Sequence, residues 1–364
     1  MVKKTMKIRT EGIKYTGSKL KILPFITEKI RSVGGVRRVF DGFSGTTRVA
    51  QCLYQEGYEV TANDSSVWSD VFARCYLLSR KPLAHYQELI DYLNSLDGRY
   101  GWFSEHYGGL EQDTKRPFQM KNTMRLDAIR EELDRLDLDL DDKCVALTSL
   151  VLALDSVDST LGHYVSYLAE WSKRSYNDLK LCVPHICYRP ELPEARVFCE
   201  DIFDAVHEGA YDLAYYDPPY GSNNEKMPPS RVRYSAYYHI WKSVILNDRP
   251  KLFGKANRRE DSRDEVACSV FEEFRRAPSG RFVVTEAIDR LLRETQAEYV
   301  LLSYSSGGRA TKSELMEVIT GNGELVDFSE IDYRKNVMAS MKWSNEWAAE
   351  DDKNKEYLFL IRKR

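Results

Sequence analysis

No stretch of 18 apolar residues occurs in the chain, so a membrane-spanning helix is not expected. Lys3, Lys4, Lys7 and Arg9 are not followed by an apolar run, so a secretory leader is not expected either. Cysteine is sparse and unordered: seven residues, an odd number, with no Cys-x-x-Cys pair. Cys182, His185 and Cys187 lie close together, but their spacing fits no common zinc ligand set. A reduced, cytosolic chain with thiols in its core and no bound metal is the expectation. Excess charge is also missing: 53 Lys and Arg against 56 Asp and Glu leave −3. That balance excludes a protein that coats nucleic acid by bulk charge, though not one with a local basic surface. Neither a Walker Gly-x-x-x-x-Gly-Lys nor the three-glycine dinucleotide fingerprint is present, and no internal repeat is visible.

What is present is a chain of 364 residues, 43% hydrophobic and 30% charged, long enough for about two domains. Tyrosine is abundant, at 23 residues. Short apolar runs rich in β-branched and aromatic residues predict strands over 36–42, 59–64, 195–201, 211–217, 280–287, 298–305 and 356–363. Helical patterns intervene at 20–31, 47–56, 66–78, 110–134, 142–154, 264–275 and 312–319. Alternating strands and helices predict an α/β fold with a mostly parallel sheet. The alternation breaks between Asp64 and Ala195, a largely helical stretch with an acidic patch over 131–142 that reads as solvated surface. The expected organisation is a sheet domain of residues 1–64 and 195–364 carrying an inserted helical subdomain, 65–194.

Charge is concentrated locally. Residues 1–38 hold eleven Lys and Arg against Glu11 and Glu28, and residues 226–259 hold nine against Asp248 alone. The second segment interleaves Tyr234, Tyr237, Tyr238 and Trp241 with its cations, a composition suited to following a nucleic-acid backbone and stacking on bases.

One tetrapeptide is chemically specific. Asp217-Pro218-Pro219-Tyr220 ends the apolar run 211–216. Proline fixes φ and cannot extend a ladder, so the chain turns rigidly where open α/β sheets place their ligands. The Asp217 carboxylate and Pro218 carbonyl would form an in-plane acceptor pair for an amine such as the exocyclic amine of adenine. Two fixed acceptors favour a pyramidal nitrogen and so release its lone pair as attack proceeds. Tyr220 offers a ring for stacking. A base inside a duplex reaches such a turn only by being flipped out.

A second constellation suits an adenosyl-type ligand. Asp41-Gly42-Phe43-Ser44-Gly45 joins a strand to a helix, and nineteen residues after Gly45 stands Asp64, an acid placed to bind ribose hydroxyls. Glu200-Asp201 ends the third strand with another acidic pair. Lys19, at the start of the first helix, is either a surface cation or a donor to a ligand carboxylate.

In their order along the chain these segments resemble the Dam-like adenine-N6-specific DNA methyltransferases of the alpha group. Lys14-Tyr-Thr-Gly-Ser-Lys19 is similar to that family's N-terminal motif, Asp41-Gly-Phe-Ser-Gly45 to its cofactor loop, and Asp217-Pro-Pro-Tyr220 to its catalytic motif. Thr160-Leu-Gly-His-Tyr164, Tyr234-Ser-Ala-Tyr-Tyr-His239 and Tyr304-Ser-Ser-Gly-Gly-Arg309 extend the likeness over nearly the whole chain. The resemblance implies a Rossmann-like sheet with an antiparallel final strand, S-adenosylmethionine as donor, and duplex DNA as substrate. A cognate restriction endonuclease would be the natural partner, and a prokaryotic, DNA-associated cytoplasmic location follows. It further implies that Tyr15, Lys19, Asp41, Phe43, Gly45, Asp64, Asp201 and Asp217 serve the cofactor, and that Asp217, Pro218, Pro219 and Tyr220 are catalytic. It makes 65–194 the target-recognition region. Candidate DNA contacts are Arg116, Arg125, His163, Tyr164, Arg231, Arg233, Tyr237, His239, Lys255 and Arg258, with Arg125 and Arg116 in front because arginine most often reads guanine. One departure stands out: Thr47 occupies a position where the family usually has glycine. The alternatives to be tested are an RNA adenine-N6 methyltransferase and an inactive DNA-binding regulator on the same fold.

Overall fold

The computed structural model describes residues 8–187, 191–221, 233–263, 269–273, 275–332 and 355–364. In chain order the main strands are β1 (Arg38–Asp41), β2 (Glu59–Asn63), β3 (Arg196–Phe198), β4 (Tyr211–Tyr216), β5 (Ala297–Ser305), β6 (Gly323–Asp332) and β7 (Lys355–Lys363). The helices that matter below are α1 (Leu23–Val33), α2 (Arg48–Glu56), α3 (Val67–Ala73), α4 (Leu83–Ser95), α5 (Met120–Arg135), α6 (Leu140–Val157), α7 (Ile202–Ala205), α8 (His239–Leu246), α9 (Val283–Glu294) and α10 (Lys312–Asn322).

The chain folds as two compact units. One comprises Pro24–Phe43, Glu200–Arg233 and Asp264–Arg364. Its strands run in the order β6-β7-β5-β4-β1. β1, β4 and β5 are parallel, with Val39 opposite Leu213 and Tyr211 opposite Ala297. β7 lies antiparallel between β5 and β6. Phe40, Ala214, Tyr216, Val300 and Leu302 bury one face of the parallel strands, against Ile288, Leu291 and Leu292 of α9. β4 and β5 are near-continuous apolar runs because parallel strands are covered on both faces.

The other unit comprises Met1–Leu23, Ser44–Cys199 and Tyr234–Arg263. It contains the parallel pair β2 and β3, with Ala62 opposite Val197, and the helices of the 65–194 block. α6 is buried almost all round, which is why its sequence shows little amphipathic contrast. Asp139 caps it by accepting from the Asp142 N–H at 2.9 Å. α3 continues as a π-helical turn, Arg74–Leu78, completing the helix expected over 66–78.

Three expectations are corrected. Residues 280–287 do not form a strand; they enter α9, whose buried Val284, Ala287, Ile288, Leu291 and Leu292 repeat at helical spacing. The apolar Phe282-Val-Val run is too short to show that period by itself. The helix expected over 110–134 begins only at Met120, after Gly108–Gly109 pairs with Phe118–Gln119 around a turn. β6 was not expected at all, because charges interrupt its Glu-Leu-Val-Asp-Phe-Ser-Glu sequence. It is an edge strand, and charge protects an edge from further pairing. The helix expected over 264–275 falls largely outside the described residues, where only the turn Val270–Glu272 is helical.

Candidate active site

In the unit containing β4, the Asp217–Tyr220 turn begins where the strand ends. Asp217 is half-buried, Pro218 is buried, and Tyr220 folds back so that its hydroxyl donates to Asp217 Oδ1. The same hydroxyl lies 2.8 Å from Glu356 Oε1 at the start of β7, and Ser303 Oγ of β5 donates to that oxygen at 2.6 Å. Tyr220 is further fixed through its carbonyl, which accepts from the Arg309 N–H at 2.8 Å and the Tyr304 hydroxyl at 3.3 Å. The two rings sit 4.9 Å apart. Burial, reinforced by Asp217 and Glu356, pushes the Tyr220 phenol well above its ordinary range, so it remains a proton donor at neutral pH. Tyr215, in the strand just behind, is raised by burial and by Asp217, Asp41 and Glu356.

The strand side of the glycine loop belongs to the same unit. Asp41 is fully buried at the end of β1, and the Gly42 N–H donates to the Tyr215 carbonyl at 3.1 Å. A Cβ on Gly42 would stand 2.6 Å from the Tyr216 ring, so close packing dictates glycine there. Phe43 meets Tyr216 and Phe271 edge-on. Asp201 caps α7, accepting from the Phe203 N–H at 2.9 Å.

The helix side of the loop belongs to the other unit. The Gly45 N–H donates to Asp64 Oδ2 at 2.9 Å and the Ser66 N–H to Oδ1 at 2.8 Å. Each carboxylate oxygen keeps lone-pair capacity for hydroxyl donors. Burial raises the Asp64 carboxyl, while these two N–H groups pull it back. Gly45 has φ +48°, and a Cβ there would face the Tyr15 ring at 3.5 Å. Tyr15 is stacked between Tyr234 and Tyr238, with centroids at 5.3 and 4.8 Å. Lys19 is 7% exposed, and its Nζ donates to the Gly17 carbonyl at 3.1 Å. That excludes the reading of Lys19 as a surface cation.

Thr47 explains the family's glycine. It takes φ +60°, the left-handed region that disfavours a β-branched residue. Its N–H donates to the Ser44 carbonyl at 2.6 Å, and its hydroxyl accepts from Gln51 Nε2 at 2.8 Å. These bonds hold the conformation that glycine would adopt without strain.

The candidate DNA contacts divide by exposure. His163, Tyr164, Arg233, Tyr237 and His239 are buried. The His163 ring packs on Tyr237 at 4.8 Å, Tyr164 on Trp241 at 4.8 Å, and His239 Nε2 lies 3.0 Å from the Tyr164 carbonyl. The aromatic signal in His163, Tyr164, Tyr237 and His239 is therefore core packing rather than a surface for bases, and Arg233 is buried with them. Arg116 and Arg125 are half-buried. Arg116 donates to the His106 carbonyl at 2.7 Å. Arg125 donates to the Leu96 and Asn94 carbonyls at 2.8 and 2.9 Å, closing the C-terminal end of α4. Arg258 lies over the Phe253 ring, and Lys255 is exposed. Arg231 lies outside the described residues. Much of the second basic segment is neutralised internally: Arg259 is paired with Asp248 and Asp261, Lys242 with Asp261, and Arg249 with Glu131. Sequence reasoning missed Glu356 and Ser303; no local motif marks them, because only strand pairing brings them to Tyr220.

Residues 15–283 match the family model of the D12 class N6 adenine-specific DNA methyltransferases. The chain belongs to that class. Among curated relatives, the type II methyltransferase M.NlaIII of Neisseria lactamica is 26% identical over 88% of this chain and 91% of its own length. The type II methyltransferase M.CviAII of Paramecium bursaria Chlorella virus 1 is 24% identical over 86% of the chain and 89% of its own length. The modification methylase StsI of Streptococcus sanguinis is 26% identical over 89% of the chain, which spans only 48% of StsI. The methyltransferase is thus an adenine-specific enzyme of a family represented in restriction–modification systems. Among the described residues no helix is long and apolar enough to cross a membrane, and no group of three His, Cys, Asp or Glu could hold a metal ion.

Proposed function

We propose that this methyltransferase modifies adenine N6 at one short sequence in duplex DNA, after the target base has been flipped out of the helix. The observation that carries the reading is the Asp217–Tyr220 turn at the end of a parallel strand, cross-braced by Glu356 and Ser303. Asp217 and the Pro218 carbonyl accept the two amino hydrogens and draw the nitrogen towards pyramidal geometry. Pro218 and Pro219 hold the acceptors still. Tyr220 presents its ring to the base. When the amine sheds a proton, Asp217 is the ionisable member of the acceptor pair and takes it.

The donor set fits S-adenosylmethionine, which supplies an activated methyl group when bound. Asp64, with lone pairs remaining beside its two N–H partners, suits ribose hydroxyls. Buried Lys19 suits a carboxylate, and Gly45 beside Tyr15 lets a ligand approach the backbone. Asp41, Phe43, Asp201 and Asp217 complete the assignment. Target recognition is assigned to residues 65–194, with Arg116, Arg125, Lys255 and Arg258 as the candidate cations that are not buried. In this reading the enzyme works on DNA in a prokaryotic cytoplasm and protects its site from a cognate restriction endonuclease.

The test is long-read modification sequencing of plasmid from a methylation-deficient host expressing the chain. The expected result is one motif methylated at adenine, with Asp217→Ala reducing the single-turnover rate on the order of 10²–10³-fold. No adenine methylation would overturn the proposal. Faster methylation of RNA than of duplex DNA would select the RNA enzyme, and DNA binding without donor binding the inactive regulator.

A further inference from the structure

The catalytic turn is followed by Gly221, which has φ +62°. A Cβ there would stand 3.2 Å from Arg309 Nε, so the Arg309 side chain lies across this glycine. The backbone of Arg309 is tied to the turn through its N–H to the Tyr220 carbonyl, and the Ala310 N–H donates to the Tyr304 hydroxyl at 3.1 Å. The guanidinium itself has no such tie. Its Nε is sealed from solvent and bonds to nothing among the described residues. Arg309 is half-buried, and the Phe282 ring, 5.5 Å from its guanidinium, offers no anion. Burial pulls its guanidinium below the ordinary arginine range.

Withdrawing part of a guanidinium from water without a counter-ion carries a cost. Other, more exposed arginines of this unit each face a carboxylate: Arg281 is paired with Glu317, Arg290 with Glu294, and Arg293 with Asp289. Among the described residues no anion faces Arg309, and a nucleic-acid substrate can supply one. We propose that Arg309 is a phosphodiester clamp beside the catalytic turn, binding a phosphate that flanks the target adenosine. The planar guanidinium matches phosphate oxygens in a way that a point charge does not. With Tyr220 fixed to the same residue's backbone, the clamp anchors the charged end of the nucleotide whose base the turn holds. Gly221 serves both requirements, the left-handed turn and the space the side chain crosses.

The inference rests on the DNA methyltransferase reading, and its test separates the two. Once the methylated motif is known, duplexes carrying a methylphosphonate at each phosphate flanking the target adenine are compared with unmodified duplex. With the unaltered enzyme, one flanking position is expected to weaken binding about tenfold or more. Arg309→Gln is expected to weaken binding to the unmodified duplex similarly, to make that methylphosphonate silent, and to reduce the slope of log K against log salt by about 0.9. Arg309→Lys keeps part of the affinity. If no flanking methylphosphonate affects the unaltered enzyme, or if it costs Arg309→Gln as much, the clamp is overturned while methylation stands. If the unaltered enzyme methylates no DNA, the underlying reading falls instead. The methylphosphonate series needs no variant, so misfolding of Arg309→Gln leaves the proposal testable.

Discussion

Tyr220 has a single hydroxyl proton and two carboxylates beside it, Asp217 and Glu356. In the proposed reaction Glu356, only 6% exposed, acts through Tyr220 as a positioning residue. Glu356→Leu removes this brace and leaves Ser303 without its acceptor. A hydrogen bond to a charged group contributes about 1.5–3 kcal/mol, so kcat is expected to fall at least about tenfold with little change in cofactor affinity. Glu356→Gln, which still accepts, recovers much of the loss. In a Tyr220→Phe background the same substitutions should have little further effect on single-turnover rates. An additive loss would mean that Glu356 does not work through Tyr220. Thr47 yields a second residue-scale prediction. Thr47→Val keeps the left-handed strain and loses the Gln51 bond, destabilising by about 1–2 kcal/mol in urea unfolding. Thr47→Gly loses the same bond but relieves the strain, and is expected to be less harmful than valine. The reverse order would show that the conformation at 47 is not strained.

At the scale of elements, the glycine loop is set by packing as much as by ligand. Gly42→Ala drives a methyl into the Tyr216 ring, and overpacking of this kind costs about 1–3 kcal/mol. Chemical denaturation of the variant measures it; an unchanged midpoint would mean that β1 and β4 shift apart freely. Arg125 provides the contrast. It was expected to read guanine, yet it closes the end of α4 with two carbonyl bonds. Arg125→Ala is therefore expected to lower the melting temperature as well as any DNA affinity. A loss of specificity with unchanged melting would assign it to recognition alone.

Across the whole molecule, the buried histidines set an acid limit. Burial lowers His239 to about 3 from an ordinary 6.5, with His163 shifted in the same direction. The unfolded chain binds these protons first, so stability is full above about pH 6.5 and is lost as pH falls towards 3. The slope is about 1.4 kcal/mol per pH unit for each fully shifted group. Asp64 and Asp155, raised by burial, act in the opposite sense, because the fold takes up their protons more readily than the unfolded chain does. His239→Gln is expected to flatten the fall in melting temperature between pH 6.5 and 4.5. An unaltered profile would show that the acid limit lies elsewhere.

The chemistry was legible in the sequence because it resides in contiguous segments. The Asp217 turn, the loop from Asp41 to Gly45 and Asp64 at the end of β2 are each local, and each strand end carries its own functional group. The apolar runs of β4 and β5 likewise announced parallel strands covered on both faces. Long-range pairing was not legible. Ser303 and Glu356 meet because β7 turns back antiparallel beside β5, and no spacing in the chain encodes that contact. Nor does composition separate a tyrosine or histidine that meets DNA from one that fills a core, since the same ring serves either purpose. The sequence by itself determined the reaction class and the rigid turn proposed for catalysis, because a proline turn and its acceptors need only neighbouring residues. The tertiary structure alone decided which aromatics and cations remain for the substrate, because burial and ion pairing are properties of distant segments brought together.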